Sequence, residues 1–373
     1  MFVDVAGSHG TPARPHGRGL FVFKVRGVVL PEREERTFWI DGDRLRTDPV
    51  PGGDLIVDGG WIVPGLVDVH THPGSTDTPE DPFDEEVLRK HLVDHREAGV
   101  LLIRTPGTAG RIPDWVEADP DLPRVRSAGR WLATPNRFVK GYGRDVTEQE
   151  LVAAAVEEAT AASGWCKIHA DWGFDYPPLP FDLLCEVVKA VHAIGGRVAT
   201  HCQTAQGTRN AVLAGVDSLE HGWFLEEDLI DHMVRNGTAF VPTLTVFQDK
   251  LPEVRKREPS PLREWALKGC EQTLDTVRAA VDAGVTVLAG TDSYPCGTIA
   301  TEVDWLIRGG MTPEAAIGGA SWTARSWLGL PGLVDGAPAD LVVYDTDPTL
   351  DPRVLAHPSA IILRGRVQRS RRA

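Results

Sequence analysis

Cysteine is scarce in this chain, with five in 373 residues, and none belongs to a Cys-x-x-Cys pair. An odd, scattered set (Cys166, Cys185, Cys202, Cys270 and Cys296) offers no disulfide framework and fits free thiols in a reducing cytoplasm. Positive charge is short as well: 39 Lys and Arg stand against 53 Asp and Glu, a net charge of −14. That balance argues against nucleic acid as the main partner, because phosphate binding needs a basic face. No apolar run reaches the roughly 18 residues of a spanning helix, so no membrane is expected. Met1 to Gly19 lacks the apolar core of a signal peptide. No internal repeat or low-complexity tract is evident. A soluble, cytoplasmic protein acting on a small molecule is the expectation, with a homo-oligomer compatible but not required.

What is present is an ordinary globular composition, 42% hydrophobic and 25% charged. The length fits one large barrel with a smaller appended domain. Both chain ends read as strands: Leu20–Val25, Thr37–Ile40 and Asp54–Val57 at the front, and Ala339–Asp345 and Ala360–Arg364 at the back. The middle alternates. Apolar runs at Leu66–His72, Val100–Thr105, Arg124–Ala128, Trp165–His169, Arg197–His201, Ser218–His221, Ala239–Thr243 and Val285–Thr291 are mostly separated by segments of helical periodicity. Examples of the latter are Phe83–Ala98, Glu148–Ser163, Phe181–Ile194, Leu225–Arg235, Pro261–Ala283 and Thr312–Leu328. Eight runs alternating with helices predict βαβ units and a parallel sheet closed as a (β/α)8 barrel. The segment from Gly129 to Asp145 is irregular and reads as a long loop at the barrel mouth.

In such a barrel, chemistry is carried at the C-terminal ends of the strands. His70 and His72 close the first run at i and i+2, so they share a face and can bind one metal ion. An isolated His-x-His is more often a surface or core pair, and this one has company. Lys167 lies inside an apolar run, where an unpaired ammonium is costly; it is either paired with a carboxylate or chemically altered. His169 shares its face. His201 and His221 close further runs, and Asp292 ends the eighth. Neutral imidazoles suit zinc-like ions, and a carboxylate at that place can hold metal or move a proton, although alone it reads as a helix N-cap. Taken together, five run ends in barrel order carry residues able to serve one metal site.

Other residues weigh less. His91 and His95, at i and i+4, lack the glutamate of a zinc-protease helix and read as a solvated face. Cys166 and Cys202 should point into the helix layer, while Cys296 falls in a loop near the mouth as a candidate exposed thiol. Trp131, Trp172 and Trp223 follow run ends and are candidate pocket walls. The acidic stretch Asp77–Glu86 is expected beside the mouth.

Val63-Pro-Gly-Leu-Val-Asp-Val-His-Thr-His72, Ser218-Leu-Glu-His-Gly222 and Leu288-Ala-Gly-Thr-Asp292 resemble strand signatures of the amidohydrolase superfamily, and the tail from Gly336 to Arg366 is similar to its closing strands. Trp165-Cys-Lys-Ile-His169 most resembles the dipeptidase and imidazolonepropionase-related branch. The resemblance implies a distorted (β/α)8 barrel over residues 63–332, with residues 1–62 and 333–373 joined in a small β-sandwich. It implies two divalent metals, usually zinc: His70, His72 and Asp292 for one, His201 and His221 for the other. A carbamate formed on Lys167 from CO2 would bridge them. A metal-bridging hydroxide would attack the substrate carbonyl, with Asp292 passing the proton to the leaving amine.

The implied activity is hydrolysis of a C–N amide bond in a peptide-like or cyclic amide. Alternatives on the same site are a lactonase or other ester hydrolase, and an isomerase or lyase. A mononuclear deaminase is disfavoured because Cys202-Gln203-Thr204-Ala205 follows His201 with no glutamate. A non-catalytic binding protein is disfavoured by the complete set of candidate ligands. Arg104, Tyr142, His169, Trp172 and Tyr294 are the candidate substrate contacts, with Arg104 or Arg144 available to clamp a substrate carboxylate.

Overall fold

The computed structural model describes residues 22–76 and 81–370. The leading residues 1–21, four residues of the acidic stretch (77–80) and the last three lie outside the described residues, along with the expectations made for them.

Seven strands from the two chain ends form one sheet, in the order Arg366–Ser370, Ala360–Leu363, Leu341–Tyr344, Asp54–Pro64, Phe23–Val29, Glu34–Asp41 and Arg44–Arg46. Phe23–Val29 and Asp54–Pro64 run parallel; the other neighbours are antiparallel. A two-layer sandwich was the expectation, and the hydrogen bonding is that of a single sheet curling on itself. Leu45 N donates to Ala337 O at 2.9 Å and Ala339 N to Asp43 O at 2.9 Å, which ties one edge to the segment before Leu341. Gly365 N donates to Ala339 O at 3.0 Å, which ties the other edge to the same segment. The physical reason is the right-handed twist of strands, which coils a sheet of this width. Val25, Phe38, Ile40, Leu45, Leu341, Val343 and Ile362 fill the inside, at the period-two spacing the pleat demands.

The middle of the chain is α/β with parallel strands. One sheet orders Leu66–Asp68, Val100–Thr105 and Arg124–Ser127. The other orders Ala239–Val241, Ser218–His221, Arg197–Cys202, Trp165–His169, Leu132–Ala133 and Arg144–Asp145. The irregular stretch after Gly129 therefore contributes two short edge strands that sequence periodicity did not reveal. The run Val285–Thr291 forms only a single bridge, Phe240 to Val287. Its backbone is nevertheless held on both sides. Phe240 N donates to Thr286 O at 2.9 Å, Val69 N to Ala289 O at 3.0 Å and Asp292 N to His70 O at 2.7 Å. Gly290 sits so close that a Cβ there would lie 2.5 Å from His70 Cβ and 2.6 Å from Val241 Cγ1.

Helices Glu85–Glu97, Leu151–Ala161, Phe181–Ala193, Glu227–Asn236 and Pro261–Asp282 match the periodic segments within a few residues. Asp84 accepts from Val87 N at 2.7 Å and so caps its helix from outside the first turn. The segment 312–328 is two helices, Pro313–Gly319 and Trp322–Trp327. Ala205–Ala214 and Ile299–Arg308 are helices that the reading missed. The first is set by Asp171, whose carboxylate accepts from Gln203 N at 2.8 Å and Thr204 N at 3.0 Å. No helix among the described residues is long and apolar enough to cross a membrane.

Candidate metal centre

Four histidines, a lysine and an aspartate meet at the C-terminal ends of the parallel strands, on the floor of a cavity of roughly 270 Å³. His70 and His72 leave the end of the first strand with their rings 5.0 Å apart. Lys167 and His169 share the inward face of Trp165–His169, as alternation requires. The rings of His201 and His221 are 4.5 Å apart, and those of His70 and His221 5.1 Å. One strand end and two residues outside the strands lie in the left-handed region: His221 at φ 64°, Thr243 at φ 50° and Asp292 at φ 47°. Such strain in non-glycine residues costs about 1–3 kcal/mol each and concentrates at functional sites. At His221 its effect is visible: alternation would turn Glu220 and His221 to opposite faces, and the break lets both serve the interior.

Each of three imidazoles is held by its Nδ1. His70 Nδ1 lies 2.6 Å from Glu220 Oε2, His72 Nδ1 2.6 Å from Gly107 O and His221 Nδ1 2.8 Å from Thr243 Oγ1. This fixes the ring and leaves Nε2 for another partner, which is the arrangement of a metal-binding histidine. His70 Nε2 and His201 Nε2 are buried and have no hydrogen-bond partner. His70, His221 and Asp292 each offer a ligand atom, all within 4.8 Å of one another. Asp292 Oδ1 is also 3.2 Å from His72 Nε2. Burial pushes the His70 imidazole down to about 4 and those of His201 and His221 well below their ordinary value, so their lone pairs are free. Burial pulls Asp292 upward, but His70 and His72 beside it outweigh that and hold its carboxyl at about 2. Burial lowers the Lys167 ammonium to about 8. Lys167 makes no hydrogen bond or ion pair with the described residues, so a carboxylate partner is not its solution. These donors fit a divalent cation: orphaned imidazole nitrogens, an ionised carboxylate and an unpaired amine on one floor.

The walls are aromatic. His169 stacks on Phe138 with centroids 4.0 Å apart, and the cavity is lined by Trp131, Tyr142, Trp172 and Tyr294, all singled out from the sequence, and by Phe247, which was not. Tyr294 donates its hydroxyl to His72 O at 2.7 Å.

Several expectations need correction. Arg104 is not a substrate contact. It is fully buried beneath the floor, donating to Glu220 Oε1 at 2.8 Å and Val69 O at 2.9 Å, with its guanidinium 4.5 Å over the Trp165 ring. The physical reason is that a buried guanidinium must be paired, and Glu220 is the carboxylate within reach. Arg144 turns outward to Glu157 and Glu158. Trp223 packs behind the wall against Phe247 and Trp265. His95 is buried against Thr71, not solvated, and the Cys296 thiol is buried rather than exposed. Cys166 and Cys202 do pack into the helix-facing core. Glu220 and Thr243, which orient two of the histidines, were missed. A buried carboxylate on the same face as Ser218 was the signal available for Glu220.

The sequence model of the Amidohydrolase family matches residues 61–368, and this chain belongs to that family. It is thereby an enzyme, a hydrolase of carbon–nitrogen bonds. The uncharacterized protein Rv2915c of Mycobacterium tuberculosis H37Rv is 39% identical over 367 residues, covering 95% of this chain and 97% of the relative. A Xaa-Pro dipeptidase crystallised with bound methionine superposes with a TM-score of 0.81 at 23% identity, over 94% of this chain and all of that one (100%). Aspergillus niger ochratoxinase superposes with a TM-score of 0.81 at 19% identity, over 94% of this chain and 96% of its own. The likeness to these two structures is one of fold.

Proposed function

We propose that this amidohydrolase cleaves the C–N amide bond of a small molecule on a binuclear metal floor. His70, His72 and Asp292 would hold one divalent ion, with zinc the first choice, and His201 and His221 the other. The observation that carries this reading is the set of histidines clamped at Nδ1 with Nε2 turned to a shared floor. His70 and Asp292 from the first set and His221 from the second offer ligand atoms all within 4.8 Å of one another, close enough to serve adjacent ions or a shared one. Metals bound there would supply Lewis acidity and a water acidic enough to ionise near neutral pH.

The remaining work falls to the chain. A lysine can ligate only without its proton, and burial at Lys167 brings the free amine within reach of neutral pH. We infer that its Nζ would add to the carbon of CO2 and release a proton, and that the resulting anionic carbamate on Lys167 would offer oxygen ligands to the metal floor. Asp292, ionised in this setting, would take a proton from the attacking water and hand it to the leaving nitrogen. Aromatic walls limit water access to the reacting atoms.

We also infer that the two parallel sheets and residues 285–292 together form a distorted (β/α)8 barrel over 63–332, with 1–62 and 333–373 as the appended unit. The unpaired cysteines support a reducing cytoplasm as its compartment. The test is chelation. Protein stripped of metal should lose at least about 100-fold in amide hydrolysis and regain it on adding Zn²⁺; activity indifferent to chelation would contradict the reading.

A further inference from the structure

The cavity also constrains the substrate, on the assumption that the hydrolase reading above holds. Trp131, Phe138, Tyr142, Trp172, Phe247 and Tyr294 form its walls. Trp131, Phe138, Tyr142 and Trp172 pack on one another, with Trp131 and Phe138 centroids 5.3 Å apart and Phe138 and Trp172 4.9 Å apart. The other wall residues, Ser75, Thr76 and Gln203, are neutral.

Among the described residues, the four arginines around this cavity that the sequence offers, Arg104, Arg130, Arg137 and Arg144, are each paired with a carboxylate. Arg104 is paired with Glu220 below the floor, Arg130 with Glu158 at 3.0 Å, Arg137 with Glu148 at 3.0 Å, and Arg144 with Glu157 at 2.8 Å. Lys140 lines a separate hollow on the far side of Phe138, together with Asp145 and Glu150. Among the described residues that line the cavity, Lys167 on the metal floor is the sole cationic side chain. A substrate carboxylate held against these walls, away from the metal floor, would give up its hydration against aromatic faces with no guanidinium or ammonium there to replace it. An apolar or aromatic group would gain both burial and ring packing.

We propose that the substrate is a neutral amide bearing an aromatic or bulky apolar group beside the scissile bond and no free carboxylate on the amine side. A free dipeptide is the wrong charge for this cavity. A matched pair isolates the point: N-acetyl-2-phenylethylamine and N-acetylphenylalanine share acyl group, scissile bond and ring, and differ by one carboxylate. With zinc-loaded enzyme, kcat/KM should favour the neutral member by on the order of 100-fold. Equal rates, or preference for the acid, would overturn the proposal.

Binding is read separately, through quenching of tryptophan fluorescence from Trp131 and Trp172. If neither compound is hydrolysed but the neutral one quenches at much lower concentration, the proposed amide cleavage on the metal floor falls and the cavity preference stands. If neither quenches, or both do equally, the preference itself is overturned. Gln203→Arg, which adds a guanidinium to the wall, should shrink the neutral-to-acid binding ratio at least tenfold. An unchanged ratio in a variant of normal Tm would place the selection elsewhere and overturn the assignment.

Discussion

Glu220 illustrates how one buried side chain can matter as much as a ligand. Its carboxylate accepts from Arg104 at 2.8 Å and Ser218 Oγ at 2.6 Å and meets His70 Nδ1 at 2.6 Å. Burial pulls this carboxyl upward, but Arg104 and His70 outweigh it and hold the group well below the usual carboxylate range. It therefore stays anionic, fixes the His70 tautomer and makes Nε2 the basic nitrogen. Groups that orient metal ligands this way are typically worth roughly 10–100-fold in metal affinity. Glu220→Gln should accordingly weaken Zn²⁺ binding by about that factor, measured by competition with a chromogenic chelator; unaltered affinity would show that His70 is not a ligand. At this scale the residues that meet on the cavity floor were legible, because His, Lys and Asp at the ends of apolar runs are unusual enough to notice. Arg104 was misread because sequence places it at a run end but does not say which carboxylate will claim it.

At the scale of elements, short strands deliver their last residues to one floor. Residues 285–292 show why the eighth strand was over-read. The apolar pattern is strand-like, yet Gly290 lets the backbone pass against His70 and Val241, and ordinary pairing is confined to one bridge. Gly290→Ala would drive a Cβ into His70 and its backbone nitrogen, 2.9 Å away, with no flexible side-chain end to yield. A loss of about 1–3 kcal/mol is expected from such overpacking. Differential scanning calorimetry should show the lowered Tm together with reduced metal retention, because the same shift moves His70. A variant as stable and metal-rich as wild type would contradict the proposed fit. Helix Ala205–Ala214 was missed for a different reason: its N-terminus is set by Asp171, more than 30 residues away in sequence, and the segment is weakly apolar.

The whole molecule is held together by contacts that no local pattern encodes. The seven-stranded sheet takes strands from both chain ends, and Asp340 links it to the parallel strand Arg124–Ser127. That buried carboxylate accepts from Arg124 Nε at 2.8 Å and from Arg364 N at 2.8 Å, and lies 3.5 Å from Arg325 Nη2. Arg325 is itself buried, and with Asp340→Ala it keeps its hydrogen bond to Gly65 O but loses its counter-charge. Breaking a buried pair of this kind costs roughly 3–5 kcal/mol. Urea denaturation should show that loss, while kcat at a temperature where the variant is folded should be unchanged, since Asp340 does not line the cavity. A loss of activity without a loss of stability would reverse the assignment. That both ends are β-rich was readable in the sequence; that they form one curled sheet was not, because pairing partners lie some 300 residues apart, as Leu341 and Pro64 do across 277 positions (341 minus 64).

The central claim is a two-metal floor bridged through Lys167. Its most direct test is metal content by elemental mass spectrometry, on wild type and Lys167→Ala purified side by side without chelator. About two divalent ions per wild-type chain, falling clearly in the variant, is the predicted result. No metal in either protein, and none taken up on reconstitution, would contradict the account.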